Sequence, residues 1–79
     1  VIDDASLVAE ATALAQRLAK GPTKALGLMR RCATENLDRD FAGAMAAEAD
    51  AQRDAGNSED ARAGAVAFLK KEKPAFSGR

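Results

Sequence analysis

An all-α chain of about four short helices is what this sequence predicts, on three observations. Apolar residues recur at three- and four-residue spacing, the period of one helical face. Nowhere do they alternate with polar residues at the period of two that marks a half-buried strand. The breaks fall at short intervals, at Gly21-Pro22, around Asn36, at Gly56-Asn57 and at Pro74.

The first helix takes Asp3 or Asp4 as its N-cap, and Leu7, Val8, Ala11, Leu14, Ala15 and Leu18 share one face. Gly21 stops it. Pro22 suits the first position of a second helix, where its missing N–H has no helical partner in any case. There Ala25, Leu26, Met29 and Cys32 form the apolar stripe, and the helix is expected to end between Thr34 and Asn36. Asn36 is expected to cap a third helix with Asp38 and Asp40 in its first turn, at the positive end of the dipole. Phe41, Ala44, Met45, Glu48 and Ala51 then share a face, and Gly56 is expected to supply a left-handed C-cap. Ser58 caps the fourth helix, with Glu59 and Asp60 next. Its buried face is expected to be Ala61, Ala65, Phe68 and Leu69, and Lys70, Lys71 and Lys73 crowd its last turn until Pro74 forbids continuation.

A chain of 79 residues is one small domain at most, and at this size only about 60% of the unfolded surface is buried. The hydrophobic fraction is 47%, but much of it is alanine, which buries little area. Four short alanine-rich helices without a heptad seam make a weak free-standing bundle, so packing on another chain or another part of the same chain is expected. Twelve basic residues balance twelve acidic ones, which leaves no positive field for nucleic acid. One cysteine, Cys32, cannot form an internal disulfide, and without histidine the usual metal constellations are absent. No run approaches the ~18 apolar residues of a membrane span, and the opening "VIDDASLVAE" does not read as a secretory signal. The expectation is a soluble, cytoplasmic protein with no cofactor, no metal, no nucleic-acid partner and no membrane. "VIDD", with no initiator methionine, reads as a chain already in progress.

Catalytic candidates are few. Glu48 is the one carboxylate on an apolar stripe, where general acid–base work and a structural pairing are both open, and no second carboxylate is spaced to form a pair with it. Cys32 has Arg30 and Arg31 nearby but no activating histidine, and reads as a small packed side chain. The six glycines form no phosphate-cradling loop. The tail is more informative. Phe68 on the inward face of the fourth helix and Lys71 three residues on offer a ring beside a mobile cation, which suits a nucleotide-bearing ligand. The same spacing also suits a core phenylalanine under a solvated last turn.

From Ser58 onward, "SEDARAGAVAFLKKEKPAFSGR" resembles the C-terminal signature of the enoyl-CoA hydratase/isomerase (crotonase) superfamily, approximately D-x-x-E-G-x-x-A-F-x-x-K-R-x-P-x-F-x-G. Asp60, Gly64, Ala67, Phe68, Lys71, Pro74, Phe76 and Gly78 fall on it in register, while Ala63 replaces its glutamate and Glu72 its arginine. Upstream, "ALAQRLAKGPTKALGLMRR" is similar to the helix, GP turn and helix that follow the last core strand of that family, and Glu48 with Gln52 suits its next helix. The wording is similar both to bacterial hydratases and to ring-opening isomerases of phenylacetyl-CoA breakdown.

The resemblance implies that residues 1–79 are one C-terminal helical, trimerisation-type segment, without the ββα core that would precede it. It implies a parent enzyme acting on acyl-CoA thioesters as a homotrimer or hexamer. An oxyanion hole of two backbone N–H groups would stabilise a thioester enolate, and catalytic carboxylates would come from the core. By position, Phe68 and Lys71 would contribute to coenzyme A binding, and the segment alone would carry no catalytic residue and no activity. Losing an arginine at Glu72 would remove a phosphate-pairing group. Detached, the helices would self-associate, with helix exchange as one route. A stand-alone helical interaction module without enzyme activity is the alternative.

Overall fold

The computed structural model describes residues 1–79, which form four α-helices and a short 3-10 turn, without strands. The helices are α1 (Asp4–Ala19), α2 (Thr23–Glu35), α3 (Phe41–Gly56) and α4 (Glu59–Lys70), and the 3-10 turn covers Asn36–Asp38. The all-α expectation and the number of helices hold. No helix is long and apolar enough to cross a membrane.

Local chemistry sets most boundaries, with several corrections. Pro22 lies one residue before α2, in the N-cap position, instead of at its first turn. Asn36 does not cap α3. Its residue continues α2 into the 3-10 turn, and Asp40 takes the cap role by accepting from the Gly43 N–H at 2.7 Å. The carboxylate thus satisfies one of the helix's four orphan donors, so Asp38 and Asp40 precede the first turn. Gly56 is the last helical residue and is not left-handed; Asn57 follows with φ −85°. Ser58 caps α4 as expected, accepting from Ala61 N–H at 3.0 Å. The helix ends at Lys70, with three residues still to come before Pro74. Lys71 turns left-handed at φ 57°, its N–H donates to the Phe68 carbonyl at 3.1 Å and the Glu72 N–H to the Ala67 carbonyl at 2.9 Å. That bond pair is a Schellman turn, usually built on glycine.

Helices α2 and α3 pack as an antiparallel hairpin, Ala25 lying opposite Ala55 at one end and Asn36 opposite Glu48 at the other. The half-buried line of α2 runs through Ala25, Leu26, Leu28 and Cys32, with Met29 exposed. In α3 the inner line is Ala44, Ala47, Ala51 and Ala55, whereas Phe41 and Met45 face outward. Small residues sit inside because α2 approaches closely there. The inner face of α4 is Asp60, Gly64 and Ala67, rotated by part of a turn from the predicted one: of Ala61, Ala65, Phe68 and Leu69 only Ala61 is half-buried and the other three are exposed.

Helix α1 buries no residue, and its stripe of Leu7, Leu14 and Leu18 is open to solvent. In the whole chain only Ala51, Ser58, Asp60 and Ala67 are buried. The accessible surface is 6527 Å² for 8.2 kDa, against roughly 4,500 Å² for a compact monomer of that mass. The radius of gyration, 15.8 Å, likewise exceeds the ~12 Å of a compact domain of this length. A slab 44 × 39 × 18 Å results, with helix faces but little core of its own.

Candidate functional site

The most deeply buried polar group lies where the C-terminal tail returns along α4. After the left-handed Lys71 the chain reverses and runs from the end of the helix back to its start. At that start Asp60, with 3% of its surface exposed, collects the tail. One carboxylate oxygen accepts from the Ser77 N–H at 2.6 Å and from the Ser77 hydroxyl at 3.3 Å; the other accepts from the Gly78 N–H at 2.9 Å. The bond is reciprocated by the Asp60 N–H, an orphan donor of the first turn, which reaches the main-chain oxygen of Arg79 at 2.9 Å. Burying a carboxylate is costly unless it is hydrogen-bonded, and here both oxygens are.

Between the two ends, Phe76 lies over α4. A Cβ on Gly64 would stand 3.6 Å from Phe76 Cε1, so the ring rests against helix backbone that a larger side chain would cover. Gly78 has φ +80°, and a Cβ there would fall 2.8 Å from Thr23 Oγ1. The tail therefore passes close to the first residue of α2 as well as along α4. The signature positions Asp60, Gly64, Ala67, Phe76 and Gly78 thus meet as one structural unit.

The two predicted ligand residues project from the other end of this unit. Phe68 is 82% exposed, so its placement on an inward face is corrected: the inner positions of that turn are Gly64 and Ala67. Lys71 is exposed too, tied to Phe68 through the main-chain bond of the Schellman turn. None of Lys70, Lys71 and Lys73 is in an ion pair. The result is an exposed aromatic ring and three free ammonium groups at the carboxyl end of one helix.

A second cluster closes the α2–α3 hairpin. Arg39 pairs with Glu35 at 2.8 Å and donates through Nη1 to Asn36 Oδ1 at 2.9 Å, while Asn36 Nδ2 donates to Glu48 Oε1 at 3.2 Å. Glu48 sits at the edge of its stripe, paired with an amide. Beside it an open groove of about 430 Å³ runs between the helices over Leu28, Met29, Cys32 and Ala51. Cys32 is half-buried with no partner that would activate it. Sequence reasoning missed the Arg39 contact, although its i,i+4 spacing from Glu35 was a usable sign. It also missed the grip of Asp60 on the tail, since a buried acid and its donors 17 and 18 residues away have no local pattern.

No family model matches the chain. Among individual proteins, 1,2-epoxyphenylacetyl-CoA isomerase of Escherichia coli (strain K12) is 39% identical over 79 residues, 100% of this chain and 30% of that protein. A Rhodobacter capsulatus protein described as "Probable enoyl-CoA hydratase" is 37% identical over 67 residues, 85% of this chain and 26% of that protein. The chain spans less than a third of the length of these curated relatives and matches their C-terminal part. Sequence similarity along the whole chain, together with the strand-free helical fold that carries the tail signature, leads to one assignment. The chain belongs to the enoyl-CoA hydratase/isomerase (crotonase) superfamily, whose C-terminal helical segment it represents.

Proposed function

We propose that this chain is the C-terminal helical region of an enzyme acting on acyl-CoA thioesters, hydrating or isomerising them in the cytoplasm. The single observation that carries the reading is the similarity of the entire chain to an isomerase of a coenzyme A thioester. The segment contributes two things. Its slab exposes roughly 2,000 Å² beyond what a compact monomer of its mass would, the scale of a stable protein–protein interface. That surface is used against the parent's core and against other subunits of a homotrimer or hexamer. Its second contribution is the exposed pair of Phe68 and Lys71, which meets the nucleotide end of coenzyme A, the ring by apolar contact and the ammonium by a charge-assisted bond to phosphate.

The segment supplies no acid, base or oxyanion hole, and alone it is inactive. Glu48 is an edge residue bonded to an amide and Cys32 has no base. Enolate stabilisation by two backbone N–H groups, as the family resemblance implies, belongs to the preceding core. The test is Lys71→Ala in the full-length enzyme. One lost charge-assisted bond corresponds to about tenfold weaker coenzyme A binding, read by calorimetry, with unchanged oligomeric state. Wild-type affinity in that variant would refute the coenzyme A role of Lys71.

A further inference from the structure

The left-handed conformation of Lys71 calls for a cause. It is the one non-glycine residue of the chain with positive φ, and an L-residue there is strained unless its surroundings over-determine it. The Schellman bonds from Lys71 and Glu72 hold it from the helix side. From the other side, the chain leaving Lys71 is held back along α4 by Asp60, which accepts from Ser77 and Gly78. Between the two anchorages lie only Lys73, Pro74, Ala75 and Phe76. Of these, proline is rigid and Phe76 rests on Gly64. Release of the tail would leave Lys71 free to return to right-handed backbone, which would swing its Cα–Cβ direction and its ammonium away.

We infer that Asp60 is a positioning residue for Lys71: by gripping the tail at the start of α4, it fixes the direction of the cation at the end of α4. This rests on the reading that Lys71 meets a phosphate of coenzyme A. Asp60 does not touch that ligand. It lies at the opposite end of a 12-residue helix, about 18 Å long, and its influence travels through the covalent tail.

Asp60→Asn in the full-length enzyme provides the test. The amide keeps the shape but replaces one accepting oxygen with a donor that faces a main-chain N–H. Free coenzyme A is titrated into the wild type, Lys71→Ala, Asp60→Asn and the double variant, and hydrogen exchange is followed at Glu72, Ser77 and Gly78. We expect Asp60→Asn to weaken binding about threefold, less than the tenfold of Lys71→Ala, and to have no further effect once Lys71 is gone. KM for the acyl-CoA rises with kcat unchanged, a split that simple loss of folded enzyme would not produce. Exchange at Glu72 quickens together with that at Ser77. Should Asp60→Asn fail to fold, Ser77→Pro removes both Ser77 donors, the N–H and the hydroxyl, and leaves the carboxylate in place, with tail exchange then read at Gly78. Equal weakening by Asp60→Asn with and without Lys71, or Glu72 exchange at the wild-type rate while Ser77 exchange quickens, would overturn the inference. Unweakened binding in Lys71→Ala would instead overturn the underlying coenzyme A reading, and with it the functional consequence of the grip. The Glu72 exchange would still decide whether Asp60 holds the Lys71 turn.

Discussion

Adding one methyl group at two glycines of the tail–helix contact should have opposite effects. Gly78 has φ +80°, and a Cβ there would stand 2.8 Å from Thr23 Oγ1. The left-handed backbone alone costs an L-residue about 1–2 kcal/mol, and Thr23 must rotate or the tail must lift. A total near 2 kcal/mol raises the population of the open tail by roughly 30-fold. Gly64 is the contrasting case. It is a helical glycine whose added Cβ would meet Phe76 Cε1 at 3.6 Å, an ordinary contact, and glycine-to-alanine inside a helix is worth up to about 1 kcal/mol. Gly64→Ala should therefore leave the tail closed and slow exchange in α4 by up to about fivefold. Native-state hydrogen exchange on the full-length protein, read at Ser77 and Gly78 for the tail and at the α4 amides for the helix, measures both. Fast tail exchange in Gly64→Ala with wild-type exchange in Gly78→Ala would refute the packing described for the tail.

Two further outcomes follow from the same structure. Asp40→Ala removes the cap on Gly43 and should cost about 1 kcal/mol, with exchange quickening in the first turn of α3 and nowhere in α4; an unchanged first turn would show that the cap contributes nothing. Residues 1–79 expressed alone, with α1 unpacked and roughly 2,000 Å² of surplus surface, should self-associate as concentration rises, which sedimentation velocity reads directly. A compact monomer at millimolar concentration would contradict that.

The tail shows how far local rules reach. Ser58 was legible as the α4 cap because capping is a contact over three residues, and the helical stripes were legible because period is local too. The face chosen by α4 was not. By hydrophobicity Phe68 and Leu69 are its natural inner residues, yet both lie outward while Gly64 and Ala67 lie in. What reverses the choice is the returning tail, which needs small residues beneath Phe76 and a carboxylate for its N–H groups. Asn36 was misread for a related reason. Both Asn36 and Asp40 are good caps, and the choice between them depended on the Arg39–Glu35–Asn36–Glu48 network across the hairpin. The exposure of Phe68 bears on the candidate site as well, since an outward ring is available to a ligand in a way that a core ring is not.

The sequence by itself determined the all-α class, the four helices, the cap at Ser58, and a tail signature whose register extends from Asp60 to Gly78, since each is written in spacing and residue type within a few turns. Only the tertiary structure decided which helix faces are inner, that Lys71 is left-handed, that Asp60 joins the two ends of the tail unit, and that α1 buries none of its residues against the rest of residues 1–79. These depend on segments far apart in sequence coming together, where close approach favours glycine and alanine over the most hydrophobic residues, and a buried carboxylate is stable only beside the donors the fold brings to it.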